Sequence, residues 1–479
     1  MTSFRIASLL PPVLGLGLLF AAGAAEASSG ALKGTLRFVN KNGGFCPTGE
    51  NCLGAAYPQT SYNKLTGIPE VRIQLIRASD GFLLGSGNTN SAGQYTITWS
   101  TQDATTSDVT AYLKVRYVHY QNRFLFHQLS TTTHKEWEGK TANFTLDHGT
   151  TTGAPQLNWG NWDWGTVTTD RIANLYWAAY MMWAKLKLSP RMVSYFINVD
   201  ILAFEKLKGS VPVTDSTCQG TSCARPWMKN IDPPTRPNWA EKKLTIVLDG
   251  VAATPYKPQS RMMHEMGHIA DFVSGPQAGL LRQVGYCYDE ASNCGWHTWS
   301  AEYRPTALSE GMATFLAVSA FHNGDATAAY VCDANGNSTK PYERHCYPNT
   351  GHPSSESIED RAPGMCLAPE GRRALNAMRF FWDIYDTHAD GTDATDLDFI
   401  SILDSQAVWP CPSYPACYAA GELHDQFTSV QTTLHSWVAG AGTQKDEGNA
   451  WRFRNNMLNN YTGNPDVQGV YNQNCMGAN

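Results

Sequence analysis

The feature that most constrains the fold is a change in hydrophobic period near residue 150. Between residues 31 and 148, apolar and polar residues alternate, as in "VRIQLIR", and turn-like runs such as "ASDG" separate the alternating stretches. Period two is typical of half-buried β-strands, and Gly, Asn, Asp and Ser are typical of the turns between them. We therefore predict an all-β sandwich over residues 31–148.

After residue 165 the apolar residues recur with helical spacing. "TTDRIANLYWAAYMMWAKLKL" begins with residues that favour a helix start, and its apolar positions repeat every three or four residues. The Gly- and Trp-rich residues 149–165 are typical of a linker. We predict a mainly helical α+β domain over residues 166–479. Residues 242–250 have the pattern of a buried or edge strand, placed where an extended substrate could add by backbone pairing.

The N-terminus has the pattern of an export signal. Arg5 precedes an apolar run, and Ala25 and Ala27 occupy the small positions of an A-x-A cleavage site. The chain has 12 cysteines and lacks the C-x-x-C spacing of zinc ribbons, so disulfides are favoured. We predict that residues 1–27 are a signal peptide and that the mature protein is secreted.

The charge balance indicates which partners to exclude. With 36 basic and 42 acidic residues, the net charge is −6, which gives no electrostatic attraction to nucleic acid or to an anionic membrane. Beyond the signal peptide, no segment has the roughly 18 unbroken apolar residues that a membrane span requires. We predict that the protein binds neither nucleic acid nor a membrane, and we favour a monomer.

The stretch "RMMHEMGHIADF" contains an H-E-x-x-H motif. His264 and His268 are four residues apart, so on a helix both imidazoles lie on one face and could bind the same metal ion. Chance alone would produce this motif in roughly one or two of a hundred such sequences, so the motif by itself is only suggestive. A catalytic zinc ion is held by three protein ligands, so a third ligand must come from elsewhere in the chain. The extended pattern with a third histidine fails, because Asp271 and Ser274 stand at its later positions, but "TALSEGMATFLAVSAF" supplies Glu310.

Together, "HEMGH" and "SEGMATF" resemble the gluzincin superfamily of zinc metallopeptidases, over roughly residues 166–400. The resemblance implies that His264, His268 and Glu310 bind one zinc ion, and that Glu265 is the general base for a zinc-activated water. The alternating region, with "GTLRF" and "TGIPEVRIQLIRASDGFLLGSG", resembles the carboxypeptidase regulatory-like, transthyretin-like sandwich. That resemblance implies a module that supports a catalytic neighbour.

Other residues are candidates for supporting roles. Asp271 shares the helix face of the histidines, and Thr314 stands where thermolysin-like enzymes have an aspartate, so either could orient a ligand imidazole.

Gluzincins commonly stabilise the oxyanion with a Tyr or a His, for which this chain offers Tyr303, His297, Tyr385 and His388. Five aspartates between residues 383 and 396 could bind calcium, but their spacing does not match an EF-hand, and a solvated helix end is favoured.

The combined expectation is a secreted zinc endopeptidase with an N-terminal β-sandwich and a gluzincin-like catalytic domain, acting on protein or peptide substrates. The alternative is a secreted binding or adhesion protein that holds zinc without cleaving. Glu265 favours the enzyme, because a protein that only binds has no need of the base.

Overall fold

The protein is described by a computed structural model over twelve stretches of the chain. These are residues 28–40, 64–101, 107–128, 135–149, 151–153, 157–158, 168–203, 223–225, 244–248, 259–274, 304–320 and 374–385. The predicted signal peptide, Tyr303, His297 and His388 lie outside these residues.

A first sheet is built around one long strand. Its strands are β1 (Ser29–Asn40), β2 (Lys64–Gly67), β5 (Gln94–Ser100), β11 (Thr151–Gly153) and β12 (Leu157–Asn158). The long strand β1 pairs antiparallel with β2 and β5 and parallel with β11 and β12.

A second sheet includes ten of the described strands. They are β3 (Val71–Arg77), β4 (Leu83–Asn88), β6 (Val109–His119), β7 (Phe124–Gln128), β8 (Lys135–Glu136), β9 (Glu138–Lys140), β10 (Phe144–Leu146), β13 (Val199–Ala203), β14 (Cys223–Arg225) and β15 (Thr245–Leu248). The order is β14-β15-β13-β7-β6-β3-β4, while β8 pairs with β7, and β9 and β10 pair with β6.

The alternating sequence explains the strands of the N-terminal region. Along β3, Val71, Ile73 and Leu75 are at most 1% exposed, while the intervening residues are only partly buried. Where the chain turns into β5, Gly93 has φ +77°, and a Cβ there would lie 2.5 Å from the carbonyl oxygen of Leu36. Only glycine fits this position on both counts. The expectation of a mainly β N-terminal region is confirmed.

The second sheet continues from the N-terminal region into strands that precede the H-E-x-x-H motif. β7 pairs in parallel with β13, which in turn pairs in parallel with β15. β14 covers the other edge of β15 in antiparallel register. Strands therefore occupy both edges of β15, so of the two alternatives for this strand the buried one holds over residues 245–248, and the expected pairing with a substrate is wrong there. Cys223 on β14 is disulfide-bonded, and its partner lies outside the described residues.

Five helices lie in the described part of the chain. They are α1 (Thr168–Leu186), α2 (Pro190–Tyr195), α3 (Gln259–Ser274), α4 (Arg304–Ser319) and α5 (Ala374–Asp383). Every residue of α4 from 307 to 317 is buried, so neighbouring elements enclose this part of the helix on all sides. One cluster of buried hydrophobic side chains includes members of both sheets and of all five helices.

Glu70 links a buried histidine of the second sheet to α1. The His119 side chain is fully buried, and its Nε2 lies 2.9 Å from a carboxylate oxygen of Glu70. The backbone N–H of Gln121 donates to Nδ1 of His119 at 3.2 Å, so Nδ1 has no proton. From α1, the hydroxyl of Tyr176 donates to the carbonyl oxygen of Glu70 at 3.1 Å. This arrangement requires the neutral imidazole, protonated on Nε2.

The His119 site predicts a loss of stability in acid. Burial lowers the pKa of His119 from its usual 6.5 to about 3, and the charges of Arg123, Lys187 and Arg72 act in the same direction. A lowered histidine pKa stabilises the fold above about pH 6.5, and this contribution is lost as the pH falls towards 3. Relative to His119→Gln, the wild type should lose up to about 1.4 kcal/mol of unfolding free energy per pH unit over this range. Urea denaturation at pH 7 and pH 4.5 measures the difference, and equal pH slopes for the two proteins would refute it.

Candidate metal centre

The candidate metal centre lies where α3 crosses α4. Gly267 stands at the crossing, and a Cβ on this residue would lie 2.6 Å from the carbonyl oxygen of Ala313 and 2.7 Å from its Cα. Any side chain at Gly267 would force the helices apart. No signal in the sequence indicated this requirement, because the motif leaves its fourth position unspecified.

The close crossing brings together the three predicted ligands. Nε2 of His264 lies 3.1 Å from Oε2 of Glu310 and 3.1 Å from Nε2 of His268. Nε2 of His268 lies 3.3 Å from the same Glu310 oxygen. Donor atoms at the corners of a zinc tetrahedron with bonds of 2.0–2.1 Å are about 3.3 Å apart. The spacing and the mixed nitrogen and oxygen donors therefore fit a single zinc ion.

The three side chains are also coupled electrostatically. Burial alone would lower the pKa of His268, but the Glu310 carboxylate outweighs it and, with Glu265 and Asp271, raises this pKa to about 9. Burial raises the pKa of Glu310, but His268 and His264 outweigh it and hold this pKa well below its usual value. Glu310 is therefore an anion at neutral pH, the form that binds a metal ion.

Three residues next to the proposed ligands, Glu265, Asp271 and Thr314, are buried beside them. Glu265 is 3% exposed and is not one of the three residues whose donor atoms converge in the described part of the chain. Asp271 accepts a hydrogen bond from the hydroxyl of Ser309 at 3.0 Å, which ties it to the turn of α4 that holds Glu310. The Thr314 hydroxyl lies 3.1 Å from Nδ1 of His264. Ser309 gave no signal in the sequence, because its partner is 38 residues away.

Among the candidates for oxyanion stabilisation, only Tyr385 lies within the described residues. The ammonium group of Lys185 donates to its hydroxyl oxygen at 2.9 Å, and its ring packs against Phe315 of α4 at a centroid distance of 5.6 Å. Tyr385 is therefore held between α1 and α4, and its catalytic role stays a prediction.

The acidic segment that begins at the end of α5 departs from expectation at one position. Asp383 is 2% exposed, so this carboxylate is buried, whereas a solvated helix end was expected. The other four aspartates of the segment lie outside the described residues, and the calcium alternative stays untested there.

Comparisons of the chain with protein family models, with curated proteins and with solved structures found no match. Within the described residues, no helix combines the length and the apolar character needed to cross a membrane.

Proposed function

We propose that this chain is a secreted, zinc-dependent peptidase of the gluzincin type, which hydrolyses peptide bonds in protein or peptide substrates. The observation that supports this most directly is the convergence of His264, His268 and Glu310, whose donor atoms all lie within 4.8 Å of one another. Two imidazoles and one carboxylate are a donor set of catalytic zinc sites, which use three protein ligands and keep a fourth position open.

The proposed chemistry divides between the metal and the protein. When bound, zinc supplies a Lewis acid that acidifies water and polarises a peptide carbonyl. His264 and His268 would hold the ion through Nε2, and Glu310 would hold it through a carboxylate oxygen. His268, whose pKa is raised in the metal-free protein, would release its ring proton on zinc binding. The two neutral imidazoles and one carboxylate would then leave a net positive charge at the centre, which stabilises negative charge developing on the substrate.

Glu265 is the proposed general base. It follows the ligand His264 directly, it is buried, and its charge contributes to the raised pKa of His268, so it lies within electrostatic range of the ligands. Its carboxylate would accept a proton from the attacking water as the carbon–oxygen bond forms. It would then deliver this proton to the leaving amine as the carbon–nitrogen bond breaks.

The test is to measure zinc content and peptide cleavage on one purified sample of residues 28–479. We expect about one zinc ion per chain and cleavage within a peptide library of mixed sequence, read by mass spectrometry. Glu310→Gln keeps the size of the ligand and removes its charge, so this variant should lose both zinc and cleavage. Absence of zinc in the wild type would refute the metal centre. Zinc without cleavage would instead favour the secreted binding protein.

A further inference from the structure

Exposed apolar side chains gather at one corner of the fold, where α1, α2 and β7 meet. Of the six large apolar side chains that are exposed in the described part of the chain, four lie here. They are Tyr120, Leu188, Val193 and Ile197, each between 39% and 53% exposed, and we call this surface the apolar corner. A single exposed apolar side chain is ordinary, whereas several on one surface are typical of a site that another molecule covers.

Two residues beneath the surface hold one half of the apolar corner together. The guanidinium group of Arg123 lies over the ring of Trp183 at 4.7 Å and donates to the carbonyl oxygen of Val193 at 2.5 Å. The Trp183 ring stacks on Phe196 at a centroid distance of 5.8 Å, and Ile197 is the next residue in the chain. Val193 and Ile197 are therefore presented around the same buried tryptophan.

The same tryptophan organises the other half of the apolar corner. The ring of Trp183 lies 6.2 Å from that of His119, which directly precedes Tyr120. The carbonyl oxygen of Trp183 accepts a hydrogen bond at 2.8 Å from the backbone N–H of Lys187, which directly precedes Leu188. All four exposed side chains thus belong to segments that pack around Trp183, so they form one surface.

The backbone at the apolar corner is held in an uncommon conformation. Within the described part of the chain, three residues other than glycine have a left-handed backbone, Glu70, Asn122 and Asn198, with φ of +51°, +57° and +54°. The N–H of Asn198 donates to the carbonyl oxygen of Asn122 at 2.7 Å, and the N–H of Tyr120 donates to that of Glu70 at 3.0 Å. All three therefore lie beside Tyr120 or Ile197. Such conformations persist only where the surrounding structure enforces them, and they cluster at functional sites.

Positive charge surrounds the apolar corner. Arg72 donates to the carbonyl oxygen of Tyr120 at 3.1 Å, and the exposed Lys187 directly precedes Leu188. Arg123 adds a third positive charge from beneath. Among the described residues, no ion pair joins any of these three basic side chains to a carboxylate.

The carboxylate nearest to these charges is bonded within the fold. One oxygen of Glu70 lies 2.9 Å from Nε2 of the buried His119, and the hydroxyl of Tyr180 donates to the other at 3.5 Å. Burial, and then the charges of all three basic residues, lower the pKa of His119 to about 3, so the three charges act on one point. The apolar corner therefore has an excess of positive charge.

We propose that the apolar corner is a docking site for an acidic segment of another polypeptide, in which apolar side chains stand next to Asp or Glu. The inference goes beyond the proposed function and does not depend on zinc. Apolar side chains of such a segment would cover the exposed surface, and its carboxylates would face Arg72, Arg123 and Lys187 at the rim.

A polypeptide fits this surface better than an anionic membrane does. The net charge of the whole chain is −6, which opposes its approach to an anionic lipid surface. The guanidinium groups of Arg72 and Arg123 are held by bonds to backbone carbonyls, so they favour carboxylates at set positions over a diffuse layer of lipid headgroups. The enforced backbone likewise fixes the loops before a partner binds, which lowers the entropic cost of association.

The experiment selects peptides from a random library of about twelve residues on the full chain, residues 28–479. The chain carries Glu265→Gln throughout, so that no peptide is cleaved. We expect the selected peptides to be enriched in Asp and Glu beside Leu, Ile, Val or Phe. Their affinity, measured by fluorescence anisotropy, should fall about tenfold between about 0.05 M and about 0.5 M salt, because the added salt screens the charges.

Variants on and off the apolar corner locate the binding. Leu188→Ser removes one exposed apolar contact and should weaken binding of a selected peptide about tenfold. Lys187→Glu reverses one charge and should weaken it by a similar factor. The controls make the same changes elsewhere, with Leu83→Ser on β4, where the leucine is 46% exposed, and Lys33→Glu on β1, where the lysine is exposed. Both controls should keep the unchanged affinity, and melting temperatures check that all four variants fold.

Selected peptides without an excess of acidic residues would overturn the proposal, as would equal losses of affinity in the variants and their controls. Vesicles of phosphatidylcholine with about one fifth phosphatidylserine test the membrane as occupant, and sedimentation tests a second copy of the chain. Vesicle binding or dimerisation that Leu188→Ser abolishes would overturn the proposal and assign the apolar corner to that occupant. Absence of zinc would refute the proposed function and leave this test intact.

Discussion

Glu265→Gln is expected to keep one zinc ion per chain and to cleave peptides about 10²–10⁴-fold more slowly than the wild type. The amide has nearly the same size as the carboxylate, but it cannot accept the proton of the attacking water. His264, His268 and Glu310 are unchanged, so the convergence of their donor atoms within 4.8 Å should persist. Zinc content by mass spectrometry and cleavage rate on one peptide measure the two effects separately.

A second Glu→Gln change supplies the control for Glu265. Glu138 lies on β9 in the N-terminal region, where it pairs with Lys114 at 2.6 Å. Glu138→Gln removes a partly exposed ion pair, which contributes at most about 1 kcal/mol to stability, and should leave cleavage unchanged. Unimpaired cleavage by Glu265→Gln would exclude Glu265 as the base. Loss of zinc from this variant would indicate that the carboxylate helps to hold the metal.

The strands of the N-terminal region could be predicted because their signal is local. Alternation along "VRIQLIR" depends only on which face of a strand each residue occupies, and β3 lies where the pattern predicts. The pairing of β7 with β13 could not be predicted, because its partners are about 75 residues apart and neither strand specifies its neighbour. The strand β14 could not be predicted for the same reason, because its three residues are recognised as a strand only by their pairing with the edge of β15.

In the candidate site, too, the features that depend on local sequence could be predicted, and those that depend on the packing of distant segments could not. His264 and His268 lie on one helix, so their spacing alone predicts a shared face. Glu310 required a second motif, and the resemblance to a family supplied it. Thr314 and Asp271 were candidates from position alone, whereas their hydrogen bonds to His264 and Ser309 depend on how α3 crosses α4. The distance between the helices at this crossing is set by Gly267, which H-E-x-x-H leaves unspecified.

Gly267→Ala is expected to destabilise the protein and to weaken zinc binding. Alanine favours a helix over glycine by about 1 kcal/mol, so a helix without neighbours would be stabilised. At Gly267, however, the new Cβ would lie 2.6 Å and 2.7 Å from backbone atoms of Ala313, which cannot rotate away. Overpacking of this kind costs about 1–3 kcal/mol, so the net effect should be a loss of unfolding free energy. Urea denaturation and chelator competition measure the two effects.

The double variant Gly267→Ala with Ala313→Gly tests whether backbone atoms cause the clash. The nearest atoms to the added Cβ are the carbonyl oxygen, Cα and carbonyl carbon of Ala313, all of which glycine retains. Ala313→Gly should therefore fail to restore zinc binding, because separated helices move His264 and His268 away from Glu310. Recovery in the double variant would show that the alanine side chain is the obstacle. Wild-type stability and zinc affinity in Gly267→Ala would mean that the helices cross at a greater distance, and that the donor spacing has another cause.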